Sequence, residues 1–399
     1  MSEAGTEADA VQAFFAAVRA DPALQAEFAG FEELTSFLPV AVPRAQALGF
    51  SLSTEALRDA LRPAPVGMER YTGGPPTLDV PPPGWLPVSV APMYGQVCVD
   101  WAWFGARPFD DPFYEASIRY ALGRPLSRMM PTRTLLGNLP GLTAQLPVLT
   151  PAAFIFHMSR CGSTLVSQML AAEPRNLVLS EAAPFDSVLQ LDRMVQGLSE
   201  DVHIALLRAM AGVLGQKRVP GQERVIFKTD SWHSMALPLL TKAFPDVPWV
   251  FIYREPVEVL ASQVLERGMQ TLPEFMPPAV YGLRDEDAED STIYCAKLLA
   301  ATCTAVLEPF KAGGGLLVNY RELPDAVFTK ILPHFGVTVG DEVRAAMSVL
   351  TRFHAKTPGI PFETREAAKA EVIDAALRAH AQAHMMPVYR ELERLRGAG

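Results

Sequence analysis

The stretch Phe154–Leu170, which reads FIFHMSRCGSTLVSQML, constrains the fold of this chain more than any other. An apolar run ends in a short polar turn that contains Gly162, and a helix-forming segment follows at once. The first amides of such a helix have no intrahelical partner and carry a partial positive charge, so they can bind a phosphate. Ser163 and Thr164 add hydroxyl groups, and Arg160 adds a forked set of donors. The order of strand, tight turn and helix therefore predicts a phosphate-binding loop in an α/β domain.

The turn lacks the G-x-x-x-x-G-K-[ST] pattern of ATP- and GTP-binding loops, because no Gly-Lys-Ser/Thr run occurs in it. Its run Arg160-Cys161-Gly162-Ser163-Thr164 resembles the 5′-phosphosulfate loop of the sulfotransferases that use 3′-phosphoadenosine 5′-phosphosulfate (PAPS). Many bacterial members of that family carry an R-[SC]-G-[ST]-[ST] version. The resemblance implies that these five residues bind the 5′-phosphosulfate group. An ordinary turn between a strand and a helix is the alternative.

A second motif, Trp249–Val264, reads WVFIYREPVEVLASQV and predicts a buried strand followed at once by a helix. In the sulfotransferase family, an Arg at the strand end and a Ser eight residues later hold the 3′-phosphate of PAPS. Arg254 and Ser262 have this spacing here. The alternative is that Arg254 forms an ion pair with Glu255 or Glu258. Together the two motifs favour a ligand with two separate phosphate positions, such as PAPS or its product adenosine 3′,5′-bisphosphate.

Length and composition limit the function further. The 399 residues allow one large α/β domain with a smaller attached unit. A formal charge of −9 argues against nucleic-acid binding, so the cations for an anionic ligand must be gathered locally. No apolar stretch approaches the ~20 residues that span a bilayer, and the acidic N-terminal run MSEAGTEADA is unlike a signal peptide, so no membrane contact is expected. The four cysteines have neither metal-like nor disulfide-like spacing, which predicts no metal site and a reducing, cytoplasmic setting.

Two of three predicted regions precede the phosphate loop. Residues 8–62 have helical periodicity and resemble a leader-peptide-like helical domain that is named for a nitrogen-fixation locus; a generic helical cap is the alternative. Residues 63–150 begin with a Pro-rich linker that extends to Pro87. They continue as an accessory α+β segment, with a strand at Val97–Trp101 and a helix at Pro112–Leu122. The many aromatic side chains of this segment fit a core, or alternatively a platform that binds a ring or a peptide.

The third region, residues 151–399, alternates apolar strand candidates with helical segments, which predicts a parallel sheet with helices on both faces. The fold class is therefore α/β. By resemblance it is a P-loop sulfotransferase domain, preceded by the small helical module and the Pro-rich region. Ligands of such sheets bind beyond the carboxyl ends of the strands. The predicted strands are Ala153–His157, Leu177–Leu179, Val225–Lys228, Trp249–Tyr253 and Leu316–Asn319.

Sulfuryl transfer, which the resemblance implies, needs cations at the leaving phosphate and a base near the acceptor. Arg160 stands where cytosolic members have a Lys, and Lys228 resembles a Lys at the matching strand end, so both are assigned to the sulfuryl group or the leaving phosphate. An exposed strand-end lysine is the alternative for Lys228. Glu181 ranks first as the base, because it resembles the catalytic Glu of tyrosylprotein and bacterial carbohydrate sulfotransferases. Asp230, with helix N-capping as its alternative role, ranks second, and His233 ranks third.

Two C-terminal segments extend the resemblance. Residues 316–323, LLVNYREL, are similar to the family's V-x-Y-E-x-L segment, although Arg321 replaces the usual acid, and they imply that Tyr320 packs near the cofactor. Residues 353–359, FHAKTPG, resemble a bacterial segment that closes over the nucleotide, which makes Lys356 a candidate 3′-phosphate contact. The Arg-Lys-Gly loop of cytosolic members is not recognisable, so no adenine contact is assigned.

The long segment between Ser262 and Ile293 is interrupted by prolines and is acidic at its end. Such loops are often lids or binding loops, so this one is expected to cover the acceptor. Its apolar acceptor face is expected to consist of Met269, Phe275, Met276 and Tyr281.

Three function classes are compatible with these motifs. The first is a PAPS-dependent sulfotransferase that acts on a hydroxyl or amine of a small molecule, sugar or peptide. The second is an ATP-dependent P-loop phosphotransferase, and the third is a non-catalytic nucleotide-binding protein. The missing Gly-Lys-Ser/Thr run favours the first over the second. Sulfotransferases are often dimers, so a homodimer stays open, although the sequence contains no dimer motif.

Overall fold

The computed structural model describes residues 3–62, 74–77, 81–93, 95–363 and 366–398. Most of the predicted Pro-rich linker, residues 63–73 and 78–80, lies outside these described residues. The described chain forms an N-terminal group of helices, a small antiparallel sheet, and a five-stranded parallel sheet flanked by helices.

Four helices make up the N-terminal group, and phenylalanine side chains form its core. The helices are α1 (Glu3–Ala20), α2 (Pro22–Phe28), α3 (Leu34–Ala47) and α4 (Thr54–Ala60). Phe14, Phe28 and Phe37 are fully buried, and their rings meet edge to face. The Asp21 and Ser53 side chains cap α2 and α4, because each accepts a hydrogen bond from an amide in the first turn.

An antiparallel sheet and three short helices follow. The elements are β1 (Trp85–Met93), β2 (Gln96–Trp103), α5 (Tyr114–Gly123), α6 (Pro125–Met129), β3 (Thr132–Leu135), a 3-10 turn (Leu136–Asn138) and α7 (Leu139–Thr143). The strands lie in the order β1-β2-β3. The predicted linker boundary at Pro87 is wrong, because β1 already begins at Trp85, which is buried and pairs across the sheet with Trp103.

The parallel sheet contains five strands. They are β4 (Pro151–His157), β5 (Asn176–Ser180), β6 (Arg224–Lys228), β7 (Trp249–Tyr253) and β8 (Gly315–Asn319). They lie in the order β5-β6-β4-β7-β8, and every neighbouring pair is parallel. Each predicted strand is confirmed to within two residues. Because most side chains of these strands are buried, the sheet needs helices to cover it, as the predicted α/β fold class requires.

The helices around the parallel sheet connect its strands and form the C-terminal end of the chain. They are α8 (Ser163–Ala171), α9 (Ala183–Leu189), α10 (Glu200–Leu214), α11 (Leu237–Ala243), α12 (Pro256–Leu265), α13 (Ser291–Ala312), α14 (Leu332–His334), α15 (Asp341–Leu350), α16 (Glu366–Val372), α17 (Ala375–His380) and α18 (Met386–Ala398). Short 3-10 or π turns lie at Leu191–Arg193, Ser231–Ala236, Met269–Thr271, Pro278–Tyr281, Asp285–Ala288, Tyr320–Glu322, Val327–Ile331 and Ala381–Met385.

By length and hydropathy alone, α13 is long and apolar enough to cross a membrane. Its buried side chains include Tyr294, Leu298 and Cys303, which pack into the core around the parallel sheet. A helix that is buried in this way is typical of the core of a globular domain, so α13 gives little support to a membrane span.

The accessory segment is fixed to the larger domain by buried polar contacts on both sides of its β1–β2 hairpin. The amide oxygen of Gln216 accepts a hydrogen bond from the backbone N–H of Gly84 at 2.5 Å. Arg218 donates to the carbonyl oxygens of Gly105 at 2.8 Å and Arg107 at 2.9 Å. The accessory segment therefore has a defined position against the parallel-sheet domain.

Candidate active site

The loop between β4 and α8 exposes backbone amides. Ser159, Arg160 and Gly162 have left-handed backbone conformations, with φ angles of 76°, 51° and 84°. Runs of this kind turn successive amides toward one side and form anion-binding hollows. The first turn of α8 follows directly, and its amides have no partner within the helix. The strand, turn and helix N-terminus that the sequence predicts are therefore present.

Gly162 is needed for its backbone angle and for its closeness to Tyr320. A Cβ at this position would lie 2.9 Å from Cδ1 of Leu323 and 3.0 Å from Cδ2 of Tyr320. Tyr320 follows β8, and the guanidinium carbon of Arg254 lies 4.0 Å from the centroid of its ring. The bare glycine therefore lets the phosphate loop, Tyr320 and Arg254 pack together.

The variant Gly162→Ala is expected to destabilise the loop and to displace Tyr320. The left-handed angle costs an alanine about 1–2 kcal/mol, and the added methyl group must also push aside Leu323 and Tyr320. Gly221 offers a matched control, because its φ is 87° and nothing lies within 4 Å of its Cβ position. Thermal unfolding should show a larger loss of Tm for Gly162→Ala than for Gly221→Ala. Equal losses of Tm in the two variants would mean that the close approach of Gly162 to Tyr320 contributes nothing to stability.

The loop side chains have different surroundings. The buried Cys161 thiol donates to the carbonyl oxygen of Ile252 at 3.0 Å, and burial raises its pKa to about 11. Cys161 can therefore offer a ligand its backbone amide but not its side chain. The Arg160 guanidinium donates to the backbone carbonyl of Glu266 and lies 3.3 Å from its carboxylate. Ser163 and Thr164 are buried at the start of α8.

The carboxyl ends of β5 and β6 bring Glu181 and Lys228 into an ion pair. The Lys228 ammonium donates to Oε1 of Glu181, and the Lys228 side chain is fully buried, so it is not an exposed strand-end lysine. Burial alone would raise the pKa of Glu181, but the Lys228 ammonium, helped by His157, outweighs burial and holds that pKa well below its ordinary value. Glu181 has a left-handed backbone, with φ of 54°, and 26% of its side chain is exposed. Its carboxylate is therefore ionised and within reach of a ligand.

No sequence motif identifies His157, the last residue of β4. Its Nε2 donates to the carbonyl oxygen of Thr229 at 3.0 Å, and its Nδ1 accepts from the amide of Ser159 at 3.1 Å. This pattern requires a neutral ring, and burial together with the Lys228 charge lowers the pKa of His157 to about 4. Its Nε2 also lies 3.6 Å from Oε1 of Glu181. His157 thus links the phosphate loop to the ion pair without adding a charge.

A second polar cluster, which consists of Asp230, His233 and Asp186, lies beside the ion pair. Asp230 caps the 3-10 turn Ser231–Ala236, which is the alternative role that the sequence leaves open for it. Its amide donates to Nδ1 of His233 at 3.2 Å, and Nε2 of His233 lies 2.6 Å from Oδ1 of Asp186. Burial, and then the charge of Glu181, raise the pKa of Asp230 to about 8. Asp186 carries no sequence signal, because it lies in α9 outside any motif.

This cluster has the donor types of a metal site, with ligand atoms within 4.8 Å of one another. Its hydrogen bonds argue against that use. Because Nδ1 of His233 accepts from an amide, the neutral ring carries its proton on Nε2, which then donates to Asp186 and cannot bind a metal. Asp186 also accepts from the Trp232 indole at 2.7 Å. The side chains therefore satisfy one another through hydrogen bonds.

A second cationic position lies after β7. The Arg254 guanidinium lies over the Tyr320 ring and donates to Oε2 of Glu258 at 2.9 Å. The ion pair that the sequence analysis gives as an alternative role for Arg254 is therefore present. The same oxygen accepts from Nζ of Lys369 at 2.9 Å, so two cations share one carboxylate and a positive charge is left over. Ser262 is half-buried in α12, the helix that also carries Glu258. Lys369 is missed by sequence reasoning, because it lies in a helix far along the chain without a motif.

Lys356 lies on the Arg160 side of the site. Its Nζ is 6.0 Å from the centroid of the Phe113 ring, and Nζ of Lys228 is 5.4 Å from the same centroid. Burial, and then the charge of Arg160, lower the pKa of Lys356. The 3′-phosphate contact that the resemblance implies for Lys356 stays a prediction.

The predicted apolar face of the segment after α12 is only partly available to a ligand. Met276 and Tyr281 are buried, whereas Met269 and Phe275 are exposed. Met276 and Tyr281 therefore belong to the core of the segment. The expectation that this segment covers the acceptor stays a prediction.

Comparisons with known proteins give one family match and several similar solved structures. Residues 151–341 match the model described as the sulfotransferase family. No curated protein sequence matches the chain. Among solved structures, a sulfotransferase from Mycobacterium avium is 16% identical with a TM-score of 0.39, over 60% of this chain and 76% of that one. A sulfotransferase from Alicyclobacillus acidocaldarius is 17% identical with a TM-score of 0.37, and the match covers 63% of this chain and 97% of that one. A mouse sulfotransferase in complex with PAP is 12% identical with a TM-score of 0.32, and the match covers 65% of this chain and 87% of that one.

Proposed function

We propose, from the match of residues 151–341 to the sulfotransferase family model, that the chain transfers a sulfuryl group from PAPS to a hydroxyl or amine of a small molecule, sugar or peptide. The observation that carries the proposal is a pair of separate cationic positions at one edge of the sheet. Arg160 and Lys228 form the first, and Arg254 and Lys369 form the second. PAPS offers one anionic group to each position, whereas a triphosphate carries its charges in one chain.

The residues present fit such a donor. The amides of the phosphate loop and of the first turn of α8 suit the oxygens of a 5′-phosphosulfate group. Arg160 adds fixed positive charge, because a guanidinium does not release its proton in practice. Arg254 has further N–H groups besides the one that binds Glu258, and these suit a 3′-phosphate. When bound, PAPS supplies the sulfuryl group, and adenosine 3′,5′-bisphosphate is the leaving product.

Glu181 is proposed as the base that takes the acceptor proton. Its carboxylate is ionised, partly exposed and adjacent to Lys228. An anionic group beside Lys228 competes with Glu181 for the ammonium, and the weakened ion pair lets the pKa of Glu181 rise toward that of a useful base. Asp230 has the higher pKa, about 8, but it is mostly protonated at neutral pH and caps a 3-10 turn. Nε2 of His233 is engaged by Asp186.

The cytoplasm is the proposed site of action. All four cysteines are free and buried, which supports a reducing compartment. The formal charge of −9 argues against nucleic acid as an acceptor or partner. A small-molecule or peptide acceptor is therefore the proposed partner, and a homodimer stays open.

Adenosine 3′,5′-bisphosphate is expected to raise the Tm of the chain by about 3–5 °C at a hundredfold excess over its Kd, because this binding adds about 2.7 kcal/mol to the folded state. ATP with Mg²⁺ should give little shift, since the loop has no Gly-Lys-Ser/Thr run. Arg254→Met should abolish most of the shift by the bisphosphate. A shift by ATP with Mg²⁺ alone would overturn the sulfotransferase proposal.

A further inference from the structure

The accessory segment brings an aromatic side chain to the candidate site. Phe113 lies outside the family-matched residues 151–341, yet the centroid of its ring is 5.4 Å from Nζ of Lys228 and 6.0 Å from Nζ of Lys356. We propose that the Phe113 ring forms a wall of the acceptor pocket and that the acceptor is an aromatic compound with a hydroxyl group, such as a phenol. This inference rests on the proposed function and names the substrate class of the same site.

The position of Phe113 is fixed by the chain around it. The carbonyl oxygen of Asp111 accepts a hydrogen bond at 3.3 Å from Gln168 of α8, the helix that begins at the phosphate loop. The Asp111 carboxylate accepts from Ser117 at 2.6 Å and from Arg107 at 3.3 Å. Phe113 directly precedes α5, so the start of that helix sets its backbone. The ring therefore has a defined place relative to the phosphate loop.

The place of the ring makes it a neighbour of the reacting atoms. Lys228 is the proposed partner of the sulfuryl group, and an attacking acceptor oxygen must come within about 3–3.5 Å of the sulfur. The carbon atoms bonded to that oxygen then come within reach of a ring whose centroid is 5.4 Å from the Lys228 ammonium. Phe113 is half-buried, so part of its surface is free to contact them.

The chemistry of the ring selects a flat, apolar acceptor. The electron-rich face of a phenylalanine attracts ammonium groups, which accounts for its place near Lys228 and Lys356. Its remaining surface pairs best with another aromatic ring, stacked or edge to face. The neighbouring rings serve another purpose, because those of Phe109 and Tyr114 pack on each other with centroids 5.3 Å apart, and Phe109 also packs on Arg218.

A matched pair of ligands tests the wall: 2-naphthol and its saturated analogue 2-decalol, each with adenosine 3′,5′-bisphosphate bound. Wild type is expected to bind 2-naphthol about three- to tenfold more tightly than 2-decalol, which is the range of an aromatic pair. The fluorescence of 2-naphthol measures its own affinity, and displacement of 2-naphthol by 2-decalol measures the affinity of 2-decalol. Phe113→Leu should remove this preference and leave the thermal shift by the bisphosphate unchanged.

Phe109→Leu is the matched control, because it removes a ring from the same segment without touching the lysines, and it should keep the preference. If Phe113→Leu binds 2-naphthol as wild type does, the inference is wrong and the proposed function stands. Failure of wild type to bind 2-naphthol in the presence of the bisphosphate would also overturn the inference. Failure to bind the bisphosphate itself would overturn the proposed function.

Discussion

Lys228→Met is expected to release adenosine 3′,5′-bisphosphate from PAPS about 10²–10³-fold more slowly than wild type. The Lys228 side chain is fully buried at the carboxyl end of β6, so its ammonium acts in a medium of low dielectric constant, where a charge has a strong effect. Negative charge builds on the leaving phosphate during transfer, and the proposed role of this ammonium is to stabilise it. Methionine keeps most of the side-chain volume and removes the charge. Bisphosphate release is measured with a panel of phenols and alcohols as acceptors.

The same substitution also affects folding, and the two effects must be separated. Removal of the ammonium leaves the half-buried Glu181 carboxylate without its cation, which costs at most about 3–5 kcal/mol of folding free energy. The double variant Lys228→Met/Glu181→Gln carries neither charge, so it should recover most of the lost Tm without recovering turnover. Lys242→Met is the control, because Lys242 pairs with Glu200 at the surface and should change neither quantity.

Turnover that stays within about tenfold of wild type in a folded Lys228→Met variant would contradict this role. The cation at the leaving group would then have to come from Arg160 or Lys356, which lie on the same side of the site.

Local patterns were enough to predict the parallel sheet, because a strand that is buried on both faces appears as a continuous apolar run. β7, with the sequence WVFIY, is predicted to the residue. β1 is missed because Pro87 and Pro92 interrupt its pattern. Proline is tolerated in a strand at a sheet edge or a bulge, and β1 has both features: it is an edge strand and its register shifts between Pro87 and Ser89.

The site was predictable only where its residues follow a strand end in a motif. Lys369 reaches Glu258 from 111 positions along the chain, and nothing in the sequence around it indicates that contact. Phe113 is one of many aromatic residues in its segment, and only tertiary packing brings it to Lys228. For Lys356 the resemblance identifies a residue beside the Phe113 ring, and its contact with a 3′-phosphate stays a prediction. Side chains contributed by distant segments depend on packing, which no local pattern contains.

Glu181→Gln is expected to retain the thermal shift by adenosine 3′,5′-bisphosphate and to lose turnover by about 10²–10⁴-fold. Glutamine has nearly the same shape, and its amide oxygen can still accept from the Lys228 ammonium, so the geometry of the site is kept. It cannot take up the acceptor proton. Bisphosphate release and the thermal shift, measured on the same preparation, separate catalysis from binding.

The dependence of turnover on pH distinguishes Glu181 from Asp230 as the base. Lys228 holds the pKa of Glu181 well below its ordinary value, so Glu181 stays ionised above about pH 6 and kcat/KM should be flat there. The pKa of Asp230 is raised to about 8, so its basic form increases as the pH rises through that value. If Asp230 were the base, kcat/KM would rise about tenfold per pH unit and level off above about pH 8.

Asp230→Asn completes the comparison, because its amide oxygen can still cap the turn Ser231–Ala236 while the side chain can no longer exchange a proton. With Glu181 as the base, this variant should keep turnover within about tenfold of wild type, and its pH profile should be flat. Three results together would assign the role of base to Asp230. The kcat/KM of the wild type would rise toward pH 8, the same rise would be seen in a Glu181→Gln variant that stays active, and the profile of Asp230→Asn would be flat. The raised pKa would then be functional, because the charge of Glu181, together with burial, keeps Asp230 basic enough to accept a proton from the acceptor.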